Sequence, residues 1–322
     1  MRQALQENRL FLTSGDLLAD RRYDTARDFR ARGEISAAIG LLEQSLERAP
    51  DFATAWFDLG ELREQTGERE GATEAFQKAL SSDPSDRHGA GLRLRLLDIG
   101  GHIMSADYVR SVFDQHAPKF DDALAALSYA APRLLADGIE AVCRARTQPM
   151  HFGTMLDLGC GTGLSGAAFR PFVEFMEGVD LSPAMIEQAR RKNLYDRLDT
   201  GDLTACLDGH LRADARFNLI VAADVFVYCS DLTLIAAMAA QVLALNGVFA
   251  FTVETHGGGG VMLGPKMRYA HGEKHVREAL EAAGMTILCL ASASIRMEAD
   301  KPVLGLLVLA EQTVLLSPLP QQ

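Results

Sequence analysis

The 322-residue chain has the composition of an ordinary globular protein, with 48% hydrophobic and 23% charged residues. Its formal net charge of −11 disfavours an electrostatic grip on nucleic acid, which needs Lys and Arg to displace counterions. We see no signal sequence and no uncharged apolar run of about 18 residues. The five cysteines form no C-x-x-C pair. These features predict a cytoplasmic protein with no nucleic-acid and no membrane partner.

The first hundred residues contain an internal repeat with a period of 34. The matching positions are Gly33 and Gly67, Ala38 and Ala72, and Pro50 and Pro84. The second copy resembles a tetratricopeptide repeat, with Trp56, Leu59, Gly60, Ala72, Phe76, Ala79 and Pro84 at the characteristic spacing. We therefore expect an all-α tetratricopeptide-repeat domain over residues 1–100, made of two clear repeats and a capping helix. It either docks a protein partner or mediates packing and self-association.

The rest of the chain predicts an α/β domain behind a helical connector. Residues 101–149 carry apolar residues at helical spacing, and from residue 150 short apolar strands alternate with helices, which predicts a parallel sheet over residues 150–316. Ser182 before Pro183 is a strong helix-start signal. The last two strands, in "MTILCLASASI" and "VLGLLVLAE", have no long helix between them, so the sheet should end in an antiparallel hairpin.

The segment "LDLGCGTGLSG" (residues 156–166) fits two kinds of ligand. Counted from Gly161 it has the G-x-G-x-x-G spacing of a dinucleotide site, and counted from Asp157 it reads D-x-G-x-G-x-G. A dinucleotide-binding domain has no need of the terminal hairpin. Residues of about 150–312 instead resemble the class I methyltransferases that use S-adenosylmethionine (SAM), which characteristically have one. The full chain resembles bacterial predicted methyltransferases that carry N-terminal tetratricopeptide repeats.

This resemblance implies a Rossmann-like sheet with a SAM site along its carboxyl edge. Asp157 would orient the methionine end, Asp180 would accept hydrogen bonds from the ribose, and Asp202 with Leu203 would border the adenine. The complete implied cofactor set is Asp157, Gly159, Cys160, Gly161, Gly163, Asp180, Leu181, Met185, Asp202, Leu203, Ala222, Ala223 and Asp224.

The resemblance also suggests a lid over the cofactor, formed by Tyr108, Phe113 and Phe120, although these aromatic rings fit simple helix packing equally well. Candidates on the acceptor side of the cleft are His271, His256 and Tyr228. Each histidine taken singly is more often a packing or surface residue than a catalytic one. We see no cluster at metal-ligand spacing and predict no metal.

Three functions remain open at this point. The first is a SAM-dependent methyltransferase with an unidentified, small-molecule acceptor. The second is a protein methyltransferase whose substrate is recruited by the repeats. The third is a non-catalytic scaffold that keeps SAM as a structural ligand. The intact glycine motif favours an active enzyme over the third.

Overall fold

The computed structural model describes residues 10–101 and 103–313. The chain divides into two compact units, Met1–Gln115 and His116–Gln322. The division lies inside the predicted connector of residues 101–149, so the connector is not a module of its own. The predicted end of the second domain at residue 316 lies outside the described residues.

The first unit contains the predicted helical repeats. The helices are α1 (Leu17–Ala31), α2 (Ile35–Arg48), α3 (Ala53–Thr66), α4 (Arg69–Ser82), α5 (Ala90–Leu96) and α6 (Ala106–His116), the last of which ends at the division. Asp16 begins α1 by accepting hydrogen bonds from the N–H groups of Leu18 and Ala19. Gly67 ends α3 in the left-handed conformation, with a φ of 84°.

Close packing between α3 and α4 follows the predicted pattern. A Cβ atom built on Gly60 would lie 2.6 Å from Cε1 of Phe76, so the ring fills the space that the glycine leaves. Trp56 contributes less than Phe76 to the packing between these helices, because it is only partly buried. Its Nε1–H donates to the carbonyl of Pro50 over 2.7 Å.

The second unit begins with a 3₁₀ turn and two helices, α7 (Phe120–Ala126) and α8 (Ala131–Ala145). It continues with β1 (Phe152–Leu158), α9 (Leu164–Phe169), β2 (Val173–Asp180), α10 (Pro183–Lys192), β3 (Arg197–Thr200), α11 (Leu203–Arg212) and β4 (Phe217–Ala222). The chain then forms α12 (Thr233–Val242), β5 (Leu243–Glu254), β6 (Val261–Leu263), β7 (Tyr269–His271), α13 (Glu273–Ala282), β8 (Met285–Glu298) and β9 (Lys301–Gln312).

Seven of these strands form one sheet in the order β3-β2-β1-β4-β5-β9-β8. The first five are parallel, whereas β9 pairs antiparallel with β5 and with β8. The predicted closing hairpin is therefore present. The sequence reasoning missed β3, and it also missed the small antiparallel pair β6–β7, whose strands are only three residues long.

The sheet carries a hydrophobic cluster on each face. Leu156 and Leu158 of β1 join one cluster with Phe249, whereas Met155 joins the other with Leu219. This alternation is the period of two that a strand buried on both faces shows. Across residues 10–101 and 103–313, no helix is both long and apolar enough to span a membrane.

Candidate functional site

The glycine-rich loop connects β1 to α9 at the carboxyl edge of the sheet. Gly159, Gly161 and Gly163 all have positive φ, at 68°, 53° and 91°. Such angles favour glycine because a Cβ atom would clash with the backbone. The N–H of Cys160 donates to the carbonyl of Val179 over 2.9 Å and ties the loop to the end of β2. Gly161 has the most open surroundings of the three, since Cβ atoms built on Gly159 and Gly163 would lie 2.6 Å from Val225 and 3.1 Å from Tyr195.

Asp157 lies beneath this loop with a carboxylate that is only half satisfied. Its side chain is fully buried, and its Oδ2 accepts a hydrogen bond of 2.6 Å from the hydroxyl of Tyr195. Its Oδ1 is also buried but has no hydrogen-bond partner. Burial raises the pKa of Asp157 to about 7. A buried carboxylate oxygen without a partner is costly, and a bound cation or N–H donor would relieve that cost.

Tyr195 is a residue of the candidate site that the sequence analysis missed. Its ring fills the space beside two glycines, because Cβ atoms built on Gly166 and Gly178 would lie 2.5 Å and 2.9 Å from it. Its oxygen accepts from the N–H of Gly166 while its hydroxyl donates to Asp157. Tyr195 therefore fixes both the start of α9 and the orientation of the carboxylate.

Asp180 ends β2 and faces the glycine-rich loop. Its Oδ2 accepts from the N–H of Gly161 over 2.9 Å, and its Oδ1 accepts from the N–H of Ser182 over 2.8 Å. Ser182 in turn begins α10 by accepting from the N–H of Met185. Leu181 is half-buried and Met185 fully buried beside it. The predicted set thus meets at the carboxyl ends of β1 and β2.

Asp202 and Leu203 stand at the start of α11, which follows β3. Oδ1 of Asp202 accepts from the N–H groups of Thr204 and Ala205, so this residue caps the helix. Its side chain is exposed, and Leu203 packs partly buried against the core. The contact with adenine stays a prediction, and the helix cap is the role that the geometry shows.

The loop after β4 contains Ala222, Ala223 and Asp224. Asp224 adopts a φ of 60°, which is uncommon for a residue other than glycine. Its N–H donates to Oγ1 of Thr252 over 2.9 Å, and its Oδ2 accepts from Nη1 of Arg296 over 2.6 Å. Its Oδ1 is buried without a partner. Burial raises the pKa of Asp224 to about 6, although Arg296 opposes that shift.

Arg296 organises a set of charges that the sequence analysis did not identify. Its guanidinium, in a residue only 2% exposed, contacts Asp224, Glu254 and Glu298 through three different nitrogens. Arg268 adds a contact of 2.9 Å to Glu254 and one of 2.5 Å to Glu298, and Lys266 also contacts Glu298. We call Asp224, Glu254, Lys266, Arg268, Arg296 and Glu298 the Arg296 cluster.

Of the three proposed lid residues, Phe120 lies beside the glycine-rich loop. A Cβ atom built on Gly161 would lie 3.8 Å from Cε1 of Phe120. The neighbouring Asp121 accepts from the hydroxyl of Thr162 and from Nζ of Lys192, both over 2.5 Å. These contacts hold the start of α7 against the loop and the end of α10.

Tyr108 and Phe113 belong to the first unit. Tyr108 is buried there, and a Cβ atom built on Gly89 would lie 2.8 Å from its ring. This contact makes Tyr108 a packing residue of that unit and gives no support to its predicted lid role. Phe113 is half-buried in α6, and its lid role stays a prediction.

Each of the two units contains a segment that matches a known protein family. Residues 23–87 match the family described as tetratricopeptide repeat, and residues 155–247 match the family described as methyltransferase domain. This chain joins tetratricopeptide repeats to a methyltransferase domain. The strand order and closing hairpin confirm the predicted Rossmann-like fold class. The family and the fold together support SAM as the cofactor of the methyltransferase domain.

Named relatives cover parts of the chain. Methyltransferase-like protein 27 of Homo sapiens is 44% identical over 87 residues, which cover 27% of this chain and 34% of that protein. Malonyl-acyl-carrier protein O-methyltransferase of Serratia marcescens is 28% identical over 185 residues, covering 57% of this chain and 66% of that protein. The chain thus spans a third of the first relative and just under two thirds of the second.

Two solved structures align with parts of the chain. A S-adenosylmethionine-dependent methyltransferase from Clostridium acetobutylicum aligns with a TM-score of 0.43 and 19% identity, covering 56% of this chain and 91% of that one. N-methyltransferase NodS from Bradyrhizobium japonicum, in complex with S-adenosyl-l-homocysteine, aligns with a TM-score of 0.38 and 20% identity, covering 50% of this chain and 78% of that one.

The methyltransferase domain places the predicted catalytic histidines in structural positions. His271 is fully buried in β7, and its Nε2 lies 3.0 Å from the carbonyl oxygen of Phe226. Burial lowers its pKa to about 4, so the ring is neutral at pH 7. His256 uses both ring nitrogens on its own turn, with Nε2 near the Gly260 carbonyl and Nδ1 accepting from the N–H of Gly258. These contacts give both histidines structural roles, Nδ1 of His271 is buried without a hydrogen-bond partner, and the catalytic role of either residue stays a prediction.

Tyr228, the third predicted catalytic residue, follows the loop that contains Asp224. It ends a 3₁₀ turn that follows Asp224, and it is half-buried. Burial raises its pKa to about 12, and the charge of Asp224 adds to that effect. The phenol is therefore neutral at pH 7.

Proposed function

We propose that this chain is an active SAM-dependent methyltransferase whose acceptor is a small molecule. The observation that carries the proposal is the buried, unpartnered Oδ1 of Asp157 under a loop of three glycines with positive φ. That combination fits a ligand with a cationic amino end that must approach the backbone closely. A phosphate ligand would instead be repelled by a buried carboxylate.

The residues present fit SAM, and each has a distinct task. Asp157 would hold the ammonium end, with Tyr195 keeping its carboxylate in place. Asp180, which accepts from the N–H groups of Gly161 and Ser182, would also accept from the ribose hydroxyls. SAM supplies a methyl group that its sulfonium has already activated. The chain therefore has to position an acceptor and exclude water, and Phe120 beside Gly161 serves the exclusion.

Features of the repeat unit favour a small-molecule acceptor over a recruited protein. Phe11, in the segment before α1, lies 5.4 Å from the ring of Tyr23 and 5.9 Å from that of Phe52. The backbone of Leu12 hydrogen-bonds to Oγ1 of Thr54 through its N–H and its carbonyl. The chain's own segment before α1 therefore covers Tyr23 and Thr54 of the repeat helices.

Calorimetric titration with S-adenosylhomocysteine (SAH) tests the cofactor assignment. In Asp157→Asn we expect the Kd for SAH to rise about 10- to 150-fold, because a hydrogen bond to a charged group contributes about 1.5–3 kcal/mol. Asp208→Asn is the matched control, since Asp208 is half-exposed and forms only an i,i+4 pair with Arg212. Equal SAH affinity in the wild type and Asp157→Asn, or uptake of NAD in place of SAH, would disprove the proposal.

The acceptor class needs a separate measurement with the full chain. The protein is incubated with cell extract and SAM labelled in its methyl group, and the extract is then divided into proteins and small molecules. We expect the label among the small molecules. Label confined to protein bands would instead establish recruitment of a protein substrate, and SAH binding without any transfer would establish a scaffold.

A further inference from the structure

The Arg296 cluster fixes the carboxylate of Asp224, in the loop after β4, and leaves one of its oxygens without a hydrogen-bond partner. Asp224 is held at its N–H by Thr252 and at Oδ2 by Arg296. Arg296 is itself immobile, because Glu254 and Glu298 bind its other two nitrogens. The carboxylate of Asp224 cannot turn away, and its buried Oδ1 has no partner.

The charges of the cluster are balanced, so no cation within it is left for Oδ1. The three carboxylates face three cations, and Lys266 and Arg268 are engaged with Glu298 and Glu254. An anionic acceptor would find no unpaired positive charge among these side chains and would be repelled by Asp224. A cationic N–H donor, by contrast, would satisfy Oδ1 with a charge-assisted hydrogen bond.

The charge of Asp224 acts on two tyrosines, neither of which offers it a counter-charge. The hydroxyl of Tyr129 donates to the carbonyl of Ala223 over 3.2 Å, so that hydroxyl proton is already in use. Burial and the charge of Asp224 raise the pKa of Tyr129 well above its usual value. Burial raises the pKa of Tyr228 to about 12, and the charge of Asp224 adds to that effect, so both phenols are neutral at pH 7.

We propose that the methyl acceptor is a primary or secondary amine and that Asp224 binds its cationic nitrogen through Oδ1. This inference rests on the proposed methyltransferase function. The carboxylate takes one proton from the ammonium, and the freed lone pair forms the new N–C bond. The electron pair of the breaking C–S bond stays with sulfur, and the proton on Asp224 then passes to solvent. Arg296 is a positioning residue, since it acts only by holding Asp224.

Labelling with chemically blocked acceptors tests the amine assignment on the wild-type protein. Small molecules from extract are separated by cation exchange, and half of each fraction is treated with acetic anhydride, which converts primary and secondary amines to amides. We expect methyl label from SAM in the cationic fraction and its loss after acetylation. Label in the neutral or anionic fraction, or label that survives acetylation, would overturn the proposal.

The variant Asp224→Asn tests the residue. Asparagine has nearly the same shape and tolerates positive φ, but it cannot take up the proton. We expect methyl transfer to fall at least about 100-fold, as for loss of a general base, while the Kd for SAH changes less than about twofold. Asp231→Asn is the matched control, because Asp231 follows on the same loop but accepts from the N–H of Thr233 at the surface.

The possible failures are distinguishable. Unchanged transfer in Asp224→Asn would remove Asp224 from the reaction. Weakened SAH binding in this variant would make Asp224 a cofactor ligand, as the sequence resemblance implied, and would also overturn the proposal. Failure of the wild type to bind SAH would instead refute the methyltransferase function itself. If Asp224→Asn does not fold, the acetylation experiment still decides the acceptor class.

Discussion

The two units of this protein differ in how completely their buried carboxylates are paired. In the repeat unit, Arg30 contacts Asp58 and Glu61, whose side chains are almost fully buried, at 3.4 Å and 3.0 Å. In the methyltransferase domain, Asp157 and Asp224 each retain a buried oxygen without a partner. Among the buried carboxylate oxygens of residues 10–101 and 103–313, only these two lack one. The incompletely paired carboxylates are the two that we propose to bind ligands.

Glycines show the same contrast. The space beside Gly60 in the repeat unit is filled by Phe76, whose ring would lie 2.6 Å from an added Cβ. At Gly161 of the loop the nearest atom would lie 3.8 Å away, on Phe120. One glycine permits close helix packing, and the other leaves room above the backbone.

The largest expected effect comes from removing the centre of the Arg296 cluster. Arg296→Met leaves Asp224, Glu254 and Glu298 close together without their shared cation, so we expect a loss of about 3–5 kcal/mol in the stability of the domain. This loss of stability should be measurable as faster amide hydrogen exchange in β8 and β9. The matched variant Arg30→Met should cost less than about 2 kcal/mol, because Asp58 still accepts from Tyr23 and Glu61 still contacts Arg93. Equal losses of stability in Arg296→Met and Arg30→Met would contradict the proposed difference between the two units.

The contrast between Gly60 and Gly161 predicts that their alanine variants differ in SAH affinity. Gly60→Ala should destabilise the repeat unit by about 1–3 kcal/mol through overpacking against Phe76, without changing SAH affinity. The single tryptophan, Trp56, reports this unfolding by fluorescence in urea. Gly161→Ala should cost about 1–2 kcal/mol for its positive φ and should weaken SAH binding. An unchanged Kd in Gly161→Ala would refute close approach of the ligand at this loop.

The raised pKa of Asp157 predicts how cofactor affinity depends on pH. A cation needs the ionised carboxylate, so below about pH 7 binding must first release a proton. SAH affinity should therefore fall about tenfold for each pH unit below 7 and level off above it. The stability of the domain without ligand should show the opposite trend. The carboxyl group of Asp157 holds its proton more tightly in the folded state than in the unfolded state, so the free energy of unfolding should decline as pH rises from about 4 to 7. If the SAH affinity of the wild type did not change with pH, as we expect for Asp157→Asn, the assignment of Asp157 to the cofactor would be contradicted.

The smallest effect concerns the contact between α7 and α10. Lys192→Met removes the cation that holds Asp121, and since Lys192 is about 29% exposed we expect SAH to dissociate only about two- to fivefold faster. Stopped-flow displacement measures this rate, and Lys274→Met, whose partner Glu278 is on the exposed face of α13, is the control. A slower release in Lys192→Met would mean that the contact opens the site.

The sequence predicted the parts of this structure that depend on local patterns. The helix start at Ser182, the closing hairpin and the contact of Gly60 with Phe76 all follow from short-range spacing, and the structure has them. Tyr195 could not be found this way, because its contact with Asp157 joins residues 38 positions apart. The pair of Asp224 and Arg296 spans 72 positions and depends on the register of the last hairpin.

His271 shows the other limit of sequence reasoning. The sequence analysis placed it on the acceptor side of the cleft, and it lies just before α13. The β6–β7 pair, too short to predict, instead places it in the interior against Phe226. Burial of a residue depends on packing from elements far away in sequence, and no local pattern records it.

The outer edge of the sheet has a consequence for how this protein behaves in crowded solution. Strand β8 is the last in the sheet, and an open edge of this kind can recruit strands from other molecules and start aggregation. Here the N–H of Ala130 donates to the carbonyl of Ile295, and the N–H of Met297 donates to that of Leu127. The turn after α7 thereby blocks intermolecular strand pairing at the two positions that flank Arg296.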